Sequence, residues 1–230
     1  MTEQDEYITL TLEEALERLE EQSKIHLTVT MSFLSADEAK MYPLDLLAIS
    51  ASKRSMSLIG GFTTMIREHN FICAAPLVRL QLDNSLRFYA AFLVDDPHEL
   101  ARGFIDGKSI RTFKERSSKE KLSDRLLVNR LSEHHPWITK VYEETSGYIH
   151  LSEKHFFNTI GKTAGDQKLK LVGGEKDQFI SEKDRFDAVI IMIKLTNILL
   201  WLLNSWTLTK ETPDPVAWMK KHGINNPNAV

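Results

Sequence analysis

The chain has 230 residues, a formal net charge of −3 and a single cysteine. Its length suits one hydrophobic core, and 42% hydrophobic with 27% charged residues is ordinary for a soluble globular protein. The small acidic excess gives no bulk pull toward nucleic acid or anionic membrane, and one thiol excludes an intrachain disulfide. Residues 1–6 are acidic and polar, without the basic and apolar regions of a signal peptide. A reducing bacterial cytoplasm is the expected location.

The first predicted helix covers residues 11–24. Leu12, Ala15, Leu16 and Leu19 recur at helical spacing, and Thr11 with Glu14 has the spacing of a capping box. Pro43 precedes a second periodic run with Leu46, Leu47, Ile49, Met56, Ile59, Phe62 and Ile66. Gly60 and Gly61 would kink that helix or admit a close neighbour. Residues 70–94 read as a mostly buried helix, with Pro76 marking a kink or the first turn. Cys73 lies in its apolar start and is expected to be a small buried hydrophobe. Pro97 opens a short helix through Phe104. The charged connector 111–124 is expected to be exposed and mobile. Two helices follow, 122–133 and 136–145, split at Pro136. Gly147 allows a break, and residues 152–160 continue helically. Residues 161–181 read as a weak hairpin or a loop.

Residues 186–206 are apolar enough to span a membrane. Asp187, Lys194, Asn197 and Asn204 interrupt the run, however, and fall within roughly a third of the helix circumference. A narrow polar stripe on an apolar helix fits a core helix of a bundle, so no membrane span is expected. The fold class is therefore all-α, a single helical domain over 1–230 with central helices 70–94 and 186–206. Residues 11–160 and 182–206 form its main bundle and 161–181 an insertion. Residues 207–230 form an appendage that carries one short helix after Pro213-Asp214-Pro215, with Trp218 packing back.

Arg79, Asp83 and Arg87 stand at i, i+4 and i+8 on one face of an apolar helix. A carboxylate between two guanidiniums suits a salt-bridge network that holds the bundle in register. It equally suits an anion site in which Asp83 orients arginines that keep donors free. Ser146, Tyr148, His150 and Ser152 alternate across a turn, where the ordinary reading is local hydrogen bonding and capping. His155 follows His150 at i+5, a poor spacing for a shared metal on a helix, and no cysteine or paired acid completes a set. No metal and no cofactor are expected.

Arg130 and His135 form an Arg-x4-His spacing near a helix end. That spacing resembles the motif of HEPN-class RNases, although Leu131 stands where that motif usually carries a polar residue. For RNA, the substrate's own 2′-hydroxyl is the nucleophile. A histidine then moves protons, and an arginine stabilises the phosphorane without metal. The runs PLVRLQLDNSLRFYA, KLSDRLLVNRL and HPWITKVYEETSGYIHLSEKHFF resemble a group of uncharacterised helical bacterial proteins over residues 60–160. More distantly, the layout is similar to HEPN-like bundles and abortive-infection proteins. The resemblance implies a helical fold and a defence context, and it points to Arg79, Asp83, Ser146, Tyr148 and His150.

Two functions follow. One is a non-enzymatic interaction or sensor module built on a buried Arg-Asp-Arg and His150 network, with a protein partner. The other is a metal-independent RNase or nucleotide-binding effector, with His150 or His135 as proton carrier and Arg79, Arg87 or Arg130 on phosphate. A homodimer would favour the second.

Overall fold

The computed structural model describes residues 10–150, 152, 153, 155, 159–162, 169–171 and 173–212. The described helices are α1 (Leu12–Ser35), α2 (Pro43–Arg67), α3 (Phe71–Leu93), α4 (Pro97–Ile105), α5 (Asp124–Ser132), α6 (Trp137–Ser146) and α7 (Glu182–Glu211). A short hairpin lies between α6 and α7. Its strands β1 (Ile160–Lys162) and β2 (Leu169–Leu171) run antiparallel, with Ile160 opposite Leu171. The expected C-terminal helix and the packing of Trp218 lie outside the described residues, as does most of the helical continuation over 152–160.

Local chemistry sets where the helices start. Thr11 and Glu14 form a reciprocal capping box at α1, and Ser181 with Asp184 forms another at α7. Pro43 occupies the first position of α2, where its missing N–H costs nothing. The end of α1 differs from expectation, running to Ser35 rather than Lys24. The run Thr28, Val29, Thr30 has weak intrinsic helicity, but His26, Val29 and Phe33 prolong the buried stripe at helical spacing. Tertiary burial overrides propensity there.

The four long helices enclose the core. α1 packs on α2 and α7, and α3 packs on α2 and α7. α2 passes through both glycines unbroken. A Cβ on Gly61 would stand 3.4 Å from Leu77 Cδ1 of α3, about ordinary van der Waals contact, so the pair produces no kink. α3 carries Pro76 inside its second turn without ending. Cys73 is exposed, contrary to expectation. The helical period buries Phe71, Ala74, Ala75 and Val78 and turns Cys73 outward. α7 is long and apolar enough to cross a membrane by length and composition alone. Val189, Met192, Ile193, Leu199, Leu203 and Trp206 are buried in the core, while Asp187, Asn197 and Asn204 stay exposed and Lys194 is half-buried.

Residues 111–124 are not the loose connector their charges suggested. Arg116 donates from its backbone to Leu93 O (2.7 Å) and from its side chain to Phe92 O (3.1 Å). Leu122 N donates to Phe113 O at 2.9 Å, closing a small loop that buries Glu115. Most charges of this stretch are exposed, as expected, but the segment is tied down by these backbone bonds and by buried Glu115. Phe113 lies against Gly103 of α4 so closely that a Cβ on Gly103 would overlap its ring. Gly103→Ala is therefore expected to destabilise by about 1–3 kcal/mol through overpacking. A thermal melt matching wild type would show that Phe113 swings away freely.

Candidate functional site

The α3 stripe is assembled differently from the predicted ladder. Asp83 does lie between two guanidiniums, but they are Arg87, at 3.0 Å, and Arg54 of α2, at 3.4 Å. Arg87 also reaches Asp124 at the start of α5, at 2.6 Å. The chain of charges Arg54, Asp83, Arg87, Asp124 thus ties α2, α3 and α5. These side chains are 24–42% exposed, so the network is half-solvated rather than buried. Arg79 stands outside it. Its guanidinium lies 3.9 Å from the ring centroid of Tyr142, because α6 crosses α3 at that level and presents an aromatic face. Both Arg79 and Arg87 keep a buried Nη1 without a hydrogen-bond partner.

In the turn after α6, both serines are taken up locally. Ser146 Oγ donates to Tyr142 O, and Ser152 Oγ donates to Gly147 O, each at 2.6 Å. Tyr148 points inward, with its ring edge-on to Phe71 (5.8 Å) and to His155 (6.0 Å). Burial raises its phenol pKa, which disfavours a proton-donating role near neutrality. His155 Nδ1 accepts from Ser152 N at 3.3 Å. His150 is exposed. The two halves of the expected Arg79 and His150 site are therefore engaged separately: the arginine on Tyr142, the histidine toward solvent.

Each nitrogen of the Arg130 guanidinium has a carboxylate partner. Its Nε and Nη2 donate to the two oxygens of Glu115 (2.6 and 2.9 Å), and its Nη1 donates to Glu133 (2.9 Å). Glu115 is 3% exposed and also accepts from Ser118. This pairing holds its carboxyl pKa down at about 2 and raises that of Arg130. His135 lies beyond the helix end, its ring tilted against Trp137 at 6.2 Å. Among the described residues, no cluster of three or more His, Cys, Asp or Glu side chains is placed to hold a metal ion.

Two polar assemblies were not among the sequence expectations. In the first, Lys210 near the end of α7 is wholly buried with Asp45 of α2. Its ammonium donates to Phe33 O (2.6 Å), Lys40 O (3.0 Å) and Asp45 Oδ2 (3.1 Å). Asp45 also accepts from Trp206 Nε1 (2.8 Å) and from Tyr42 N (2.7 Å). His98 stacks on the Tyr42 ring and meets Trp206 edge-on. The second is a polar layer across the bundle. Gln81 donates to Ser55 (2.7 Å) and Thr196 (3.2 Å), while Gln22 donates to Asn197 (2.5 Å). His26 hydrogen-bonds Gln22 O through Nδ1 at 2.8 Å, and burial lowers its pKa, so the imidazole is neutral. The only advance sign of either was the pairing of small polar residues with apolar stripes, which marks a face and not a partner.

No family model, curated protein or solved structure matches the chain. The likeness to HEPN-like proteins therefore rests on the quoted residues alone.

Proposed function

We propose that the chain is a non-enzymatic helical interaction or sensor module of the bacterial cytoplasm. The observation that carries this reading is the state of Arg130. An arginine that stabilises a phosphorane must offer donors to it. Here Nε, Nη1 and Nη2 all donate to carboxylates, one of them buried. Redirecting them to RNA would strand Glu115 as an uncompensated buried charge, a cost of several kcal/mol. Arg130 is best read as the bolt that fastens the 113–122 loop to α5. The serines of the α6 turn likewise serve the local backbone. In this reading the α3–α7 pair forms the centre of the bundle, and a protein partner or a small ligand engages its outer surface.

The test is metal-free incubation of a mixed RNA pool with wild type, His150→Ala and His135→Ala, each first shown to be folded. No cleavage above a buffer control is expected. Cleavage by wild type that disappears in one folded histidine variant would replace this reading with the RNase one.

A further inference from the structure

We propose that His26 is an acid-sensitive switch that seats α1 in the bundle while its imidazole is neutral and releases α1 on protonation. His26 is 0% exposed and is the one buried histidine among the described residues. Its Nδ1 lies 2.8 Å from Gln22 O. A carbonyl oxygen only accepts, so the ring proton sits on Nδ1 and Nε2 keeps a bare lone pair. That Nε2 is buried without a hydrogen-bond partner. Gln22 and Thr30 stand one turn before and one turn after His26 on the same face of α1. Gln22 donates to Asn197 of α7 at 2.5 Å, and Thr30 shares a hydrogen bond with Ser52 of α2 at 2.9 Å. His26 thus lies between two links that tie the middle of α1 to its two neighbours.

A proton on Nε2 brings a charge into a layer that holds no counter-charge. α1 packs on α2 and α7, which present Ser52 and Ser55, Thr196 and Asn197, all uncharged. Charged side chains close by in sequence lead elsewhere. Glu20 is held by Arg67, Arg54 by Asp83, and Lys194 lies against the Trp137 ring, while Glu21, Lys24 and Lys53 are exposed. Buried charges are already matched: Asp45 by Lys210, Glu115 by Arg130, and Asp177 by the N–H of Phe71. Burial lowers the imidazole pKa below 6.5, opposed in part by the Gln22 carbonyl, and no charged side chain contributes. A released ring titrates near its ordinary 6.5. The seated state is therefore fully favoured above 6.5 and loses ground as pH falls toward the folded value, because the released state binds the proton first. Release would bare Leu16, Leu19, Val29 and Phe33, an apolar stripe that a protein partner can take up.

This switch rests on the sensor reading and names the proton as its signal. Its failure would leave the non-catalytic reading in place, because RNA cleavage alone decides that. The experiment is amide hydrogen exchange of the full chain at pH 7.5 and 5.5, corrected for the intrinsic exchange rate at each pH. Protection of α1 in wild type should fall at least about fivefold at the lower pH, the change expected when one proton binds the released state alone. Protection of α5, which packs on α3 and α6, should change less. His26→Gln and His26→Leu each remove the titrating ring, and either one that folds should hold α1 protection constant between the two pH values. His150→Ala removes an exposed imidazole and should keep the wild-type response. Equal α1 protection at both pH values in wild type would overturn the switch. So would an undiminished acid response in a folded His26 variant, or an equal loss in α5, which would mean general unfolding.

Discussion

Lys210→Met should lower unfolding stability by about 4 kcal/mol, the loss typical of breaking a buried ion pair on one side. Methionine keeps the apolar stem but leaves the Asp45 carboxylate charged and fully buried. It also removes the donor that satisfies Phe33 O and Lys40 O at the junction of α1 and α2. That junction is strained. Asp37, Glu38 and Ala39 all have positive φ, between 52° and 58°, each costing about 1–2 kcal/mol for a residue with a Cβ. Lys210 helps hold it by gripping the next carbonyl in the chain. Combining Lys210→Met with Asp45→Asn should recover part of the loss. The amide removes the stranded charge while its oxygen still accepts from Trp206. Urea denaturation of both variants checks this. A single variant within 1 kcal/mol of wild type would mean that water reaches Asp45.

Arg130→Leu should cost about 3 kcal/mol, because Glu115 then keeps its charge in a buried site with the neutral hydroxyls of Ser118 and Ser117 as side-chain partners. For a domain of this size that corresponds to a fall in Tm of roughly 6–12 °C. The pH dependence has a definite sign. The Glu115 carboxyl titrates at about 2 in the folded protein, against an ordinary value of 4.5. A carboxyl with a depressed folded pKa adds stability that is fully present above 4.5 and is lost as pH falls toward 2. Glu115→Gln should therefore reduce stability at pH 7 and flatten its decline over that acid window. An unchanged acid slope in Glu115→Gln would refute this assignment. The same variants bear on function. Loss of any activity in Arg130→Leu is informative only after its stability is measured, since the position holds the fold together.

Much of the architecture was readable from local pattern. The Thr11 and Glu14 capping box lies where its spacing indicated. Pro43 opens α2, and residues 71–93 and 182–211 form helices whose apolar residues line the core. The polar stripe of α7 faces outward as its phase required. The candidate site was legible only as a set of residue types. Arg79, Asp83 and Arg87 share a face, yet Asp83 chose Arg54, twenty-nine residues away, over Arg79. Tyr142 took Arg79 because α6 crosses at that level. The charged connector is exposed as its composition indicated, but composition could not show that Glu115 within it had a partner in α5.

Legible properties were periodic and local: which segments are helical, where they are capped, and which face of each is apolar. Those properties depend on neighbours three or four residues apart, and helix geometry fixes them before any helix meets another. The tertiary structure decided every long-range polar pairing, including Lys210 with Asp45, Gln81 with Thr196, and Arg130 with Glu115. A buried charge or amide must find a partner, but any compatible group brought close enough will serve. Which group arrives is set by how the apolar faces pack.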